Sequence, residues 1–244
     1  MRVDLYTILR NEEKILPYYL RHYSQFVDKI FVFDDDSTDR TKEILSQNSK
    51  VTILKPEMHG IDDHYFRSLY ATAFRTRSKG AADWVICVDA DEIIYHPDIL
   101  SILQKCKNEG FSIIKCEGWT MFSDSFPQNG DQIYDEIKTG VPDVWQGKPV
   151  ILSPEINIKF HYGRHNVYLL EEGLRIAEST GIKLLHYRYL GDQYCEERHL
   201  NNTERLSEKN RRGKLGRHNF KDSNYIHGMK WYRQNKNLAV NCID

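Results

Sequence analysis

Short apolar runs recur along the first ninety residues, and the stretches between them have helical spacing. VDLYTIL at residues 3–9 reads as a strand that runs into RNEE. Leu16, Tyr19, Leu20 and Tyr23 follow at i, i+3, i+4 and i+7, one face of a helix reaching about residue 26. KIFVFD at 29–34 is a second strand and ends in three aspartates and a serine. A second helix starts near Asp39, a good N-cap, and turns Ile44 and Leu45 inward. Residues 51–54 make a short third strand, 64–79 have helical spacing, and 84–88 (WVICV) form a fourth strand. The unbroken apolar character of that last run is typical of a strand buried on both faces of a parallel sheet. The β-α-β-α-β-α-β order predicts an α/β fold, a mostly parallel sheet with helices on both faces.

Beyond residue 91 the texture changes. Residues 97–107 read as a helix and 111–116 as a strand. An irregular stretch, 117–148, follows and is punctuated by Pro127, Gly130, Gly140, Pro142 and Gly147. Loops of that length in a compact domain are usually functional or mobile. Apolar runs at 150–152 and 183–186 predict further strands, and charge alternates with apolar residues from about 192, a helical pattern to about Gly213. The expected organisation is one domain over 1–190, in halves 1–95 and 96–190, with a basic helical C-terminal extension over 191–244.

At 244 residues there is enough chain for a sizeable core. A net charge of −1 supplies no global field for nucleic acid, so none is expected as a partner. The charge is uneven, however. Residues 198–236 hold eleven Lys/Arg against Glu204, Glu208 and Asp222, a local excess of eight. Five cysteines without a C-x-x-C pair argue for reduced thiols and a cytoplasmic setting. The N-terminus lacks a signal-peptide core, and no window approaches the ~18 apolar residues of a membrane span.

Candidate chemistry gathers at two strand ends. The second strand ends in Asp34, Asp35 and Asp36, the fourth in Asp89, Ala90, Asp91 and Glu92. Open α/β sheets bind ligands beyond the carboxyl ends of their strands. Carboxylates crowded there repel one another unless a cation offsets them. A hard ion, Mg²⁺ or Mn²⁺, favours such oxygens and shares its other positions with phosphates and water. The first cluster can accept hydrogen bonds from a base or ribose, and the second can hold a metal on a diphosphate. No G-x-G-x-x-G or G-x-x-x-x-G-K-[ST] cradle is present, so carboxylates stand in for glycines.

RNE at 10–12, FDDDSTDRT at 33–41 and WVICVDADE at 84–92 together resemble family 2 glycosyltransferases of the GT-A fold, in a bacterial polysaccharide-type branch. HYGRH at 161–165 and LLHYRY at 184–189 are similar to that branch's second half, less specifically. The resemblance implies a nucleotide-diphosphate sugar as donor and Mn²⁺ or Mg²⁺ as cofactor. It implies a nucleoside contacted by Thr7, Asn11, Glu12, Asp34 and Asp36. Asp89 would reach the ribose or the metal, Asp91 would ligate the metal, and His186, with His165 as runner-up, would complete the set. The acceptor would be a glycan or a lipid-linked saccharide. The resemblance leans to inversion, which needs a carboxylate base. The usual Glu-Asp pair is missing, so the base is sought among Asp124, Asp131, Asp135 and Asp143, with Asp124 and Asp143 favoured.

Two rival classes share some of these features. A metal-dependent phosphotransferase or nuclease also sets carboxylates at strand ends but has no use for the Asn11/Glu12 and Asp34 pocket. A non-catalytic binding module leaves both acidic ends without a purpose. The basic extension reads either as a helix packed on the domain or as a face for an anionic membrane surface, and Arg211 or Arg212 is the expected phosphate contact.

Overall fold

The computed structural model describes residues 1–215 and 232–243. Its first part follows the expected alternation: β1 (Val3–Leu9), α1 (Leu16–Tyr23), β2 (Lys29–Asp34), α2 (Thr41–Ser46), β3 (Val51–Leu54), α3 (Asp63–Arg77) and β4 (Trp84–Cys87). β1 lies between β2 and β4 and is parallel to both, and β3 adds in parallel beside β2. All seven residues of β1 are buried. Alternate side chains serve opposite faces of the sheet. Val3, Leu5 and Leu9 join Leu16, Tyr19 and Tyr23 of α1, whereas Tyr6 and Ile8 join Tyr70 and Phe74 of α3. A strand with two apolar partners has no polar face to alternate, and for that reason its sequence reads as a continuous run.

The chain then changes sheets. β5 (Glu92–Tyr95) follows β4 directly but belongs to a different sheet. After it come α4 (Ile99–Asn108), β6 (Ile113–Ile114), β7 (Glu117–Ser123), α5 (Ile133–Glu136), β8 (Thr139–Pro142) and β9 (Ile151–Leu152). The described part of the second half is completed by β10 (Ile158–Phe160), β11 (Val167–Leu169), β12 (Ile176–Ala177), β13 (Lys183–Leu190), α6 (Asp192–Arg205), α7 (Glu208–Arg212) and β14 (Val240–Asn241). The larger sheet has the order β12-β6-β9-β4-β1-β2-β3, with β9 antiparallel to both neighbours. The second runs β14-β8-β7-β13-β5, and β10 and β11 pair as a separate hairpin.

The stretch 117–148, expected to be irregular, contains β7, α5 and β8. β7 pairs in parallel with β13, far along the chain, so no local signal marks it. The expected helix from about 192 is present as α6 and α7, with Gly213 as the C-cap of α7. It does not stand apart from the domain. The Ile61 amide donates to Arg205 O at 2.7 Å and the Ser207 amide to Ile61 O at 3.0 Å. Gly60 (φ 83°) permits that approach, since a Cβ there would lie 2.5 Å from Arg205 O. Trp231 of the extension lies outside the described residues.

Candidate active site

A cleft of about 820 Å³ opens beyond the carboxyl ends of β1 and β4. Its walls are the strand-end residues Arg10, Glu12, Asp89 and Asp91, the β10–β11 turn with Tyr162 and Arg164, and one face of α6. That face presents Cys195, Arg198, His199, Asn202 and Arg205, spaced three or four apart along the helix. The D-A-D-E segment occupies the point where the chain leaves one sheet for the other. The Tyr187 amide of β13 donates to Asp91 O at 2.8 Å and ties the two sheets together there.

The carboxylates of this segment are held by the protein's own cations. Asp91 is 3% exposed, and its Oδ2 accepts from Arg198 Nη1 and from His186 Nε2 at 3.0 Å. Arg198 Nη2 also donates to Glu12 Oε1 at 3.1 Å, so one guanidinium bridges the β1 end and the D-x-D. Asp89 Oδ1 accepts from Arg164 Nη2 at 2.6 Å, and the Arg164 guanidinium lies 4.6 Å over the Tyr70 ring. Glu92, fully buried, pairs with Lys148, and its Oε2 caps the Asp89 amide at 3.0 Å.

Charge and burial compete in this cluster. Burial pushes Asp91 up, but Arg198 and His186 more than offset that and hold it well below the usual carboxylate range. Burial also pushes Glu92 up, and Lys148 turns the balance so that it too lies below its ordinary value. For Glu12 burial wins. Arg198 opposes the rise and Asp91 adds to it, and the carboxyl is pushed up to about 7.

The other acidic strand end is arranged differently. Asp34 is buried and outside the cleft lining; its carboxylate accepts from the Ser37 amide at 3.3–3.4 Å and lies 3.5 Å from Lys42. Asp35 is held by Arg205, by His59 Nδ1 at 2.9 Å and by the Gly60 amide at 3.0 Å. Asp36 sits at φ 54° with a half-exposed carboxylate, 3.2 Å from His59. Asn11, also left-handed at φ 53°, joins the 37–38 turn: its amide donates to Ser37 Oγ and its Oδ1 accepts from the Thr38 amide. Thr7 is fully buried within β1 and does not reach the cleft.

Several sequence expectations fall outside the lining. Asp124 accepts from the Tyr232 hydroxyl at 2.5 Å. Asp143 caps a turn, accepting from the Trp145 amide at 3.0 Å and the Thr120 hydroxyl at 2.8 Å. Neither borders the cleft, nor do Asp131 and Asp135. His165 does line it. Arg211 spends its guanidinium on Leu206 O and Thr203 O, and Arg212 pairs with Glu208 at the surface. The basic residues of the extension that enter the cleft are Arg198 and Arg205. Their seven-residue spacing, two helical turns, was the signal available in the sequence.

The residues expected to ligate a divalent ion do not fit one as arranged. Asp91 is ionised and can only accept, so His186 Nε2 carries the proton of their hydrogen bond and has no lone pair for a metal. Asp91 Oδ2 is already shared by two donors, and Asp89 Oδ1 is held by Arg164. Among the described residues no three His, Cys, Asp or Glu side chains converge as a coordination set. In this structure Asp89, Asp91 and His186 take part instead in a carboxylate–guanidinium network with Arg164 and Arg198.

A mostly parallel sheet with carboxylates at its strand ends and a cleft beyond them is the architecture of the GT-A fold. The chain belongs to glycosyl transferase family 2, whose sequence pattern matches residues 5–168. Among solved structures, the S. aureus TarS fragment 1-349 aligns with a TM-score of 0.50 at 13% identity, over 77% of this chain and 61% of that one. The same fragment in complex with UDP-GlcNAc aligns with a TM-score of 0.48 at 13% identity, over 84% of this chain and 66% of that one. This chain thus spans about three-fifths of the TarS fragment, and the likeness is one of fold. No curated protein matches in sequence.

Proposed function

We propose that this chain transfers a sugar from a nucleoside-diphosphate sugar to a hydroxyl of a saccharide acceptor, free or lipid-linked, with inversion at the anomeric carbon. Membership of glycosyl transferase family 2 supports the reaction class. The observation that carries the reading is the cleft itself, which joins the β1 and β4 ends and sets carboxylates and guanidiniums around one volume. Its size suits a nucleotide sugar.

In the transfer, the acceptor oxygen bonds to the anomeric carbon as the bond from that carbon to the diphosphate oxygen breaks. The electron pair leaves with the nucleoside diphosphate, and the hydroxyl proton passes to a carboxylate of the cleft. The transition state is oxocarbenium-like, and positive groups fixed near the departing diphosphate favour it. Glu12 lines the cleft at the β1 end, and Asn11 and Asp34, the latter in register with Leu9 of the lining, stand beside that end. In this reading Asp34 and Asn11 frame the nucleoside.

Incubation with UDP-, GDP- and dTDP-sugars tests the reading. One nucleoside diphosphate should raise the melting temperature, and the matching donor should be hydrolysed slowly to free nucleotide. Failure of every donor in both measurements would overturn it. The anomeric configuration of a transfer product, read by NMR, decides inversion.

A further inference from the structure

We infer that guanidinium groups, with Arg198 of α6 at their centre, hold the donor diphosphate in the place of a divalent cation. This rests on the donor reading above and concerns the same cleft. Six arginines line it, and four of them come from three separate parts of the chain: Arg10 after β1, Arg164 in the β10–β11 turn, and Arg198 and Arg205 on α6. In each of the four, Nε–H is buried without a hydrogen-bond partner among the described residues. Buried donors are rarely left unmade, because nothing replaces the water they lose. Four such donors on arginines of one cleft suit an acceptor-rich ligand, and a diphosphate with its ring of phosphoryl oxygens is one.

The disposition of Arg198 strengthens the point. It reaches Asp91 Oδ2 through Nη1 and Glu12 Oε1 through Nη2, and so stands where the D-x-D faces the end of β1. A guanidinium carries five donors in a rigid plane, so the edge holding carboxylates leaves Nε–H for a phosphate oxygen. Arg164 is used in the same way, with Nη2 on Asp89 and Nε unpartnered. The carboxylates then act as positioning groups: they fix the forks so that their remaining donors need no rearrangement as charge develops on the leaving diphosphate. A divalent ion at Asp91 would have to displace Arg198 from Oδ2. In this arrangement the D-x-D orients arginines instead of ligating metal.

Calorimetry with UDP, GDP and dTDP, each in EDTA and in excess Mn²⁺, tests this on the unaltered chain. The nucleoside diphosphate that binds should do so with affinities within about threefold in the two conditions, and Arg198→Ala should weaken it by roughly tenfold or more, as loss of a charge-assisted contact does. Arg198→Lys should restore little, because a point charge does not reproduce the fork. Circular dichroism of each variant separates loss of binding from loss of fold, and the comparison on the unaltered chain needs no variant. Binding seen only with Mn²⁺ overturns the inference and leaves the donor reading standing. Tighter Mn²⁺-dependent binding by Arg198→Ala also overturns it and marks Arg198 as a plug over a metal site. No binding of any of the three in either condition overturns the donor reading itself.

Discussion

DDDS after β2 and DADE after β4 are nearly the same letters, yet the chain treats them in opposite ways. After β2 the charge is shared with solvent: Asp36 is half exposed, lies 3.2 Å from His59 and 3.7 Å from Lys55, and occupies a left-handed turn. After β4, Asp91 and Glu92 are buried and each is tied to a buried or half-buried cation, Arg198 and Lys148. Asp34 is also buried, but its cation, Lys42 at 3.5 Å, is half exposed; Asp35 is the exception, a β2-end carboxylate with β4-end treatment because the buried Arg205 reaches it. A turn exposed to water tolerates acidic residues through solvation. A crossover between two sheets can keep them only by bringing in partners from distant parts of the chain.

The sharpest way to break this contrast is at Glu92. Lys148→Met leaves Glu92 charged and sealed away, and should destabilise by about 3–5 kcal/mol in denaturant unfolding. Adding Glu92→Gln should recover most of the loss. If the single variant unfolds like the parent, the pair is not the buried element described here.

Next in size is a pH effect at Glu12. The carboxyl titrates near 4.5 when unfolded and near 7 in the fold, so between those values the folded chain binds the extra proton. Stability from this group is full below about pH 4.5 and declines as pH rises through 7, by up to about 3 kcal/mol. Without ligand, the melting temperature of Glu12→Gln should fall less than the parent's between about pH 5 and pH 8. Parallel curves would show that Glu12 is not held above its ordinary value.

Asp35→Asn probes the exception. It removes the charge that Arg205 is set against and should cost about 1.5–3 kcal/mol by chemical denaturation. The smallest effect is expected at Asp36→Asn, within about 0.5 kcal/mol, since its carboxylate is half in water and Asn tolerates the left-handed turn. A loss at Asp36 as large as that at Asp35 would erase the distinction between solvated and paired carboxylates.

The first half of the fold was legible because its information is local. Leu16, Tyr19, Leu20 and Tyr23 mark one helical face, and the unbroken run at 85–88 marks a doubly covered strand. Both acidic strand ends were legible for the same reason. What was not legible depends on distant pairing. β7 is a strand because β13 lies beside it, and the chain between 117 and 148 carries punctuation that reads as loop. The arginines of the cleft were counted only as charge, since the carboxylates that orient them lie 75 to 186 positions away. Arg211 and Arg212 are adjacent on a short helix and turn elsewhere, whereas Arg198 and Arg205 share one face of α6.

The cleft also has an order of manufacture. Every recognisable nucleotide-sugar motif is translated by residue 92, but Arg198 comes 107 positions after the Asp91 it pairs with. At about 5–20 residues per second, a ribosome completes Asp91 roughly 5–20 s before the Arg198 that pairs with it exists. During that interval Asp91 lacks its guanidinium partner. Premature termination between residue 92 and α6 yields a polypeptide with the strand-end signature residues and none of the guanidiniums that α6 contributes.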